Sequence, residues 1–423
     1  MNRRYSNCGQ CFANGQADPF GERGRFRGVF VLRAFVICLA FLPLVAVPAA
    51  ANERAFKAFI NEIKQAATKD GVDKKHLDAL DSLTPDPEVQ RLAARQPEYV
   101  KPIWAYLTHM VTDERLRLGR IELEARQTFL EGLEQKYGVP RGILIAIWGV
   151  ETNYGSNKGS FSVLRSLATL GYEGKRADFG RQQLLYALRI LQSGDVALED
   201  FKGSWAGAMG HTQFIPTTYA DYAADGTGDG IRDIWTEPRD AIASAAYYLK
   251  RMGWQRDLIW GVEVSVPDDF DFAEARIKNA KPVAYWLGKG VKGTQAEIGD
   301  LPGEVSLFAP AGLRGPVFLL TKNFRVLLRY NTAPAYALAV GHLSQRFSGA
   351  APFTRDWPNA DRPLLPDEIA ELQRRLRRAG YDTGDVDGVL GRQTIAAVRD
   401  YQKDRGLAAD GYATPGLLHV LAR

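Results

Sequence analysis

Cysteine is nearly absent: this chain of 423 residues has three, Cys8, Cys11 and Cys38, and none beyond them. With no thiol after residue 38, no disulfide framework supports the bulk of the chain, and its stability has to come from packing. An excess of one charge is missing too. The 54 Lys and Arg face 49 Asp and Glu, and six of the arginines fall in the first 51 residues beside only two acids. The remainder is close to neutral, which speaks against nucleic acid or any other partner chosen by charge. Strand-like stretches are scarce before residue 260, and no long low-complexity tract interrupts residues 52–348. What is present is a globular composition, 46% hydrophobic and 24% charged, which excludes a disordered chain. At roughly 150 residues per domain, the length allows two to three domains and at least one full-sized core.

Residues 34–51 form an uncharged apolar run behind Arg23, Arg25, Arg27 and Arg33, and the run ends in Ala49-Ala50-Ala51. This is the layout of a secretory signal over residues 1–51, and it predicts export to an oxidising space outside the cytoplasm. At about 18 residues the run also reaches the lower limit of a spanning helix, so an uncleaved membrane anchor is the alternative. Pro43, Pro48 and the Ala-rich end favour cleavage. The polar lead before the run is long for a signal, which leaves open a start downstream of Met1. Cys8 and Cys11 have C-x-x-C spacing but no second pair to complete a metal site. Cys38 lies inside the run behind Ile37, not after a small residue at its end, which argues against lipid attachment.

Residues 52–348 read as a large, mainly helical domain (α+β) with a small β-containing part. Phe56, Phe59, Ile60 and Ile63 recur at helical spacing, as do Ile121, Ala125, Phe129 and Leu133. Val-, Phe- and Leu-rich runs at 261–266 and 316–330 predict strands. Residues 349–363 collect Gly, Ala and prolines, a composition that neither helix nor strand sustains, and predict a linker. Residues 364–423 begin a second module. There Leu365, Ile369, Leu372, Leu376 and Ala379 step by 4, 3, 4 and 3, an apolar helix face. Two turns, Asp387-Gly388 and Asp410-Gly411, each lead toward a further helix with Thr394 or Thr414 as candidate cap. The framework L-Q-x-x-L-x-x-x-G-Y, D-G-x-x-G-x-x-T, Y-Q and L-x-x-D-G-x-x-T from Leu372 to Leu418 resembles the three-helix peptidoglycan-binding domain. The residues by themselves explain only a small helical core, and the binding role comes from the likeness.

The chemistry-bearing stretch runs from Tyr137 through Pro140 to Glu151-Thr152-Asn153-Tyr154-Gly155. Pro140 suits a helix start, and the helix after it is apolar on every side and therefore buried. Glu151 is its one acid. Desolvation raises the pKa of such a carboxyl and keeps it protonated near neutral pH, as a general acid requires. A surface Glu just past the helix, or one paired with Arg165 or Arg176, is the alternative. The second stretch is Gly203-Ser204-Trp205-Ala206-Gly207-Ala208-Met209-Gly210-His211-Thr212-Gln213-Phe214. Its small residues let a backbone come close to a ligand, Trp205, Met209 and Phe214 supply flat apolar surface, and Ser204 and Gln213 supply hydrogen bonds. Tight helix packing with Gly as spacer explains the same pattern.

Together these stretches resemble the B-type lytic murein transglycosylases, periplasmic enzymes with a lysozyme-like core. The likeness runs in order from Gln96-Pro-Glu-Tyr99 through Val150 to Gly155, Ser204 to Pro216, Asp225 to Trp235 and Asn323 to Asn331. It implies a single catalytic Glu, falling on Glu151, and substrate contacts falling on Ser204, Met209, Gln213, Tyr248, Tyr330, Asn331 and Tyr336. A basic pair of the family falls on Lys175 and Arg176, where Lys175 stands for a more usual arginine and weakens a bidentate contact. The partners it implies are peptidoglycan glycan strands, handled by a monomer, with no cofactor required.

Asp225-Gly226-Thr227-Gly228-Asp229-Gly230 places oxygen ligands at alternate positions and a Gly at the sixth, as a calcium loop does. The acid expected at position twelve is missing, since Thr236 stands there with Glu237 next and Asp240 four on. Structural calcium and a purely structural turn both remain open. Glycosidases ordinarily use two carboxylates, and the matching motifs provide one. The reaction the resemblance implies cleaves the bond between N-acetylmuramic acid and N-acetylglucosamine without water and closes a 1,6-anhydro ring, for which one carboxylate suffices. The rivals are a hydrolytic muramidase using a second acid such as Asp178 or Asp221, and a catalytically silent wall-binding protein.

Overall fold

The computed structural model describes residues 49–94, 102–295 and 297–421. Residues 1–48, most of the predicted export segment with Cys8, Cys11 and Cys38, lie outside the described residues, as do residues 96–99. The first helix, Ala49–Lys69, buries Phe56, Phe59, Ile60 and Ile63, the face their spacing predicts. The second predicted face is not continuous. Thr112 caps a helix over Asp113–Ala125 by accepting from Arg115 N at 3.2 Å, but the chain leaves the helical region at Arg126 and restarts over Gln127–Tyr137. Arg126 pairs with Glu122 and lies 5.0 Å from the Trp148 ring centroid, and this break rotates the two helices out of phase. Ile121 and Ala125 therefore face solvent, while Leu116 and Gly119 take the core positions and Leu133 stays buried.

The central element is the helix Arg141–Thr152, capped by Pro140 and buried from Ile143 to Thr152. It packs against Asp113–Ala125, Gln127–Tyr137, Pro238–Arg251 and Pro334–Phe347. Burial of Ile143, Leu144, Ile145, Ile147, Trp148 and Val150 at about 1.5–3 kcal/mol each is what holds this helix in the middle of the bundle. Pro334–Phe347 packs in turn on Ile103–Met110.

A five-stranded antiparallel sheet sits beside the bundle, in the order 280–282, 304–308, 317–320, 261–265, 292–293. Gly261 pairs with Leu320 and Val264 with Val317. It buries a smaller core of its own around Phe272, Trp286, Leu307 and Leu319. The run 316–330 is a strand only over Val317–Leu320; the rest is the helix Lys322–Tyr330. Thr321 makes the switch, its hydroxyl accepting from Asn323 N at 3.1 Å. A side-chain cap outweighs the β-propensity of the residues after it.

Beyond residue 348 the chain runs without helix or strand to Pro366–Arg378, Arg392–Asp404 and Pro415–Val420, three helices around Leu372, Leu376, Val398 and Tyr401. Ile369, Leu372 and Leu376 are buried as their spacing predicts, whereas Leu365 and Ala379 mark the exposed ends. Thr414 caps its helix, accepting from Leu417 N at 3.0 Å. Thr394 does not: it stands inside the second helix, which Gly391 caps, and receives the Gln373 side-chain amide at 3.1 Å. Gln373 also accepts from Asp387 N and Gly388 N at 3.1 and 3.0 Å, and Gln402 repeats the arrangement by accepting from Gly411 N at 2.8 Å. Each Asp-Gly turn is thus fastened by a buried glutamine.

Candidate active site

Glu151 is the last residue but one of the central helix, which ends because Asn153 and Tyr154 take left-handed φ values of 49° and 58°. A compact network fixes that end. Trp148 Nε1 donates to His211 Nδ1 at 3.0 Å, Thr152 Oγ1 donates to His211 O at 2.8 Å, and Gly155 N donates to Thr152 Oγ1 at 3.1 Å. Gly155 has φ +83°, and a Cβ there would meet His211 Cε1 at 2.2 Å. Burial, with Lys158 adding to it, pushes the His211 imidazole down to about 4, so it is neutral at physiological pH. Its Nδ1 accepts, which leaves the proton on Nε2.

The carboxyl itself is 4% exposed, and its Oε2 has no hydrogen-bond partner among the described residues. Burial pushes it up to about 8. The Tyr336 hydroxyl opposes that shift only in part, lying beside the carboxyl without reaching full hydrogen-bond geometry. No carboxylate is among the groups that shift Glu151. Asp178 and Asp221 are exposed, Arg165 pairs with Asp86 at 3.2 Å, and the Arg176 guanidinium lies 5.3 Å from the Trp205 ring centroid. The negative form of Glu151 raises the hydroxyl pKa values of Tyr106, Tyr330 and Tyr336, each already raised by its own burial. Three phenols therefore face one acid.

The small-residue loop closes on itself beside this group. Ser204 N donates to Ala208 O at 2.7 Å, its hydroxyl accepts from Ala208 N at 3.0 Å, and Met209 and Phe214 exchange backbone bonds at 2.8 and 3.1 Å. Gln213, at φ 52°, donates to Lys158 O and Gly210 O at 3.1 and 2.9 Å. Gly210 is where a side chain is impossible: at φ +65° its Cβ would lie 2.3 Å from Ile234 O. This glycine serves internal packing. Tyr330 ties the loop to the phenols, its hydroxyl donating to Thr212 O at 2.8 Å and its ring stacking on Tyr336 at 6.2 Å and 8°. Tyr248 lies edge-on to Tyr330 at 5.2 Å and donates to Arg329 O at 2.6 Å. Asn331 accepts from Ala333 N at 3.0 Å, just after the helix that carries Tyr330. Lys175 and Arg176 are both exposed, and Arg176 is the one stacked on the loop's Trp205.

Sequence reasoning missed Tyr106 and His211 as members of this group. His211 stands inside a stretch singled out for other residues. Tyr106, in the helix Ile103–Met110, is brought to Glu151 by helix packing alone, for which the local sequence carries no sign.

Carboxylate oxygens of Asp225, Asp229 and Asp240 all lie within 4.8 Å of one another. Asp240, fully buried, accepts from Gly226 N at 2.9 Å and Asp233 N at 2.8 Å, and burial pushes its carboxyl up. Glu237 turns away to cap Pro238–Arg251, accepting from Arg239 N at 2.9 Å. Where the loop has no acid at position twelve, Asp240 brings a third carboxylate beside Asp225 and Asp229. Oxygen-only donors of this kind suit a hard cation.

Residues 55–345 match the family model described as transglycosylase SLT domain, and residues 366–421 match the putative peptidoglycan binding domain. The chain is 30% identical over 278 residues to membrane-bound lytic murein transglycosylase B of Escherichia coli strain K12, spanning 64% of this chain and 74% of that protein. Its fold superimposes on SltB3 of Pseudomonas aeruginosa, crystallised with NAG-anhNAM-pentapeptide, with a TM-score of 0.82 at 45% identity over 87% of this chain and 99% of that one. It also resembles Escherichia coli Slt35 in complex with calcium, with a TM-score of 0.61 at 28% identity over 71% of this chain and 94% of that one. Among the described residues no helix is long and apolar enough to cross a membrane.

Proposed function

The chain belongs to the transglycosylase SLT domain family and is a lytic transglycosylase of peptidoglycan, and on that footing we propose that Glu151 serves as both its acid and its base. The observation that carries this reading is a carboxyl held protonated by burial, up to about 8, with no second carboxylate acting on it. Protonated Glu151 donates to the glycosidic oxygen as the bond from C1 of N-acetylmuramic acid to N-acetylglucosamine breaks. The substrate's acetamido group steadies the oxocarbenium-like centre. The carboxylate then takes the proton of the muramoyl C6 hydroxyl, whose oxygen bonds to C1 and closes the 1,6-anhydro ring. Atoms balance with no water consumed, and the acid returns protonated. Intramolecular attack supplies effective molarities on the order of 10⁵ M or more, which offsets the lack of a second catalytic group.

Tyr106 and Tyr336, both buried, keep the carboxyl dry, and the partly exposed Tyr330 offers an apolar face to a sugar ring. Ser204, Gln213, Tyr248 and Asn331 border the sugar path, whereas Met209, fully buried, supports the loop from behind, and Arg176, stacked on Trp205, and Lys175 meet substrate at its edge. The exported form acts in the periplasm. The loop of Asp225, Asp229 and Asp240 holds a structural calcium, for which the three converging carboxylates and the calcium complex of Slt35 speak. The deciding experiment digests purified sacculi and weighs the muropeptides. The expected products carry anhydromuramoyl ends, lighter by one water than those of hydrolysis, and Glu151→Gln releases none while still sedimenting with the wall. Reducing muramoyl ends would replace this mechanism with that of a muramidase, and turnover by Glu151→Gln would remove Glu151 from it.

A further inference from the structure

We propose that residues 349–363 and the docked C-terminal module form a brace that positions two of the tyrosines facing Glu151. Composition alone predicts a linker here, yet the segment is fastened at several points. Glu263, 7% exposed on a sheet strand, accepts from Thr354 N at 2.7 Å and Arg355 N at 3.0 Å. Gln295 donates to Pro352 O at 2.8 Å, and Arg355 donates to Leu313 O at 2.8 Å. From this anchored segment two rings reach the helices that matter. Trp357 stacks on Trp104 at 6.2 Å and 25°, and Phe353 stacks on His342 at 3.8 Å and 22°.

Those two contacts fall on the elements that carry the phenols. Trp104 stands two residues before Tyr106 in Ile103–Met110, and His342 shares Pro334–Phe347 with Tyr336. The two helices pack against each other, so a displacement of either is felt at both tyrosines. The module closes the outer side. Tyr412 meets Trp104 at 6.2 Å and 66°, and the Asp410 carboxylate accepts from Leu313 N at 3.1 Å. Helices transmit such contacts as rigid bodies, and interiors packed at crystal density pass strain on without absorbing it. Trp357 and Phe353 touch no reacting atom in this scheme; they are positioning residues, acting through Tyr106 and Tyr336.

The brace rests on the reading of Glu151 as the acid, and its test separates the two. Trp357→Ala in the full chain is assayed on soluble glycan oligomers, alongside cosedimentation with sacculi. The expected outcome is a kcat lower by roughly tenfold or more, since small misplacements near a reacting centre are costly, with KM and wall binding unchanged. The alkaline limb of the kcat profile moves to lower pH. Tyr106, Tyr330 and Tyr336 face Glu151 from the helices Ile103–Met110, Lys322–Tyr330 and Pro334–Phe347, with Arg115 of Asp113–Ala125 behind Tyr106, and loosening them admits water to the carboxyl. Loss of folded protein alone lowers activity without moving that limb. Trp357→Phe restores both. Glu263→Gln, which loosens the segment and leaves the ring stack, is measured in the same way in case the first variant does not fold. Folded variants with unchanged kcat and unchanged limb would overturn the brace, whereas turnover by Glu151→Gln would overturn the acid beneath it.

Discussion

A lone acid at the end of a buried apolar helix costs the fold stability as soon as it ionises, and that cost is its use. In the native state Glu151 titrates at about 8, against an ordinary value of 4.5. Between those values the folded chain holds a proton that the unfolded chain has released, so stability is full below about 4.5 and falls as pH rises toward 8. Glu151→Gln has no proton to lose. Its unfolding free energy is expected to exceed that of the parent by a margin that widens from pH 5 to pH 8, reaching on the order of a few kcal/mol by denaturant unfolding; parallel curves across that range would refute the burial argument. Gly155 supplies a second test at this scale. At φ +83°, with room for a Cβ closed off by His211 Cε1 at 2.2 Å, Gly155→Ala is expected to destabilise by about 1–3 kcal/mol, measured by denaturant unfolding. Glu151 was legible because it breaks a local rule, an acid in an apolar helix, whereas the strain at Gly155 shows only once His211 is folded against it. Tyr106 breaks none, and only the packing of Ile103–Met110 shows its place.

Elements were legible where one periodicity ran unbroken and were misread where a single side chain overrode it. The central helix and Ala49–Lys69 follow their apolar patterns. Arg126 splits a predicted face, and the Thr321 cap turns a strand-like run into the helix that delivers Tyr330. The aspartate loop is a related case. Counting residues finds no acid at position twelve, yet Asp240 enters from the first turn of Pro238–Arg251 and reaches Asp225 and Asp229. Position along the chain and position in space diverge here because the new helix folds back onto the loop. If the loop binds calcium, added calcium at about a hundred times its dissociation constant stabilises the chain by roughly 2.7 kcal/mol. Differential scanning calorimetry with calcium or with a chelator reads this directly. Asp240→Asn is expected to abolish the difference, and a calcium response that survives the substitution would place the ion elsewhere.

On the scale of the whole molecule, three separate apolar cores stand among the described residues: the helical bundle, the sheet cluster around Trp286 and the C-terminal triple helix around Leu372. Sequence composition marks the boundary near residue 348 as a change of structure, but Gly and Pro content reports only that regular structure stops. It does not report whether the irregular segment is fastened, and that depends on partners far away in sequence, such as Glu263 and Trp104. The C-terminal triple helix has a small core, so much of its resistance to unfolding comes from what it docks against. Tyr412 and Asp410 make that contact, with Asp410 also holding its own turn through Gln402 at 2.9 Å. Tyr412 is the cleaner probe, because its ring meets Trp104 and its side chain holds no turn together. The parent chain is expected to unfold with the module and the bundle in one calorimetric transition. Tyr412→Ala is expected to split off a smaller transition at lower temperature, with the main one retained. A trace that keeps its single peak and midpoint would show that the ring contact contributes nothing to holding the two parts together.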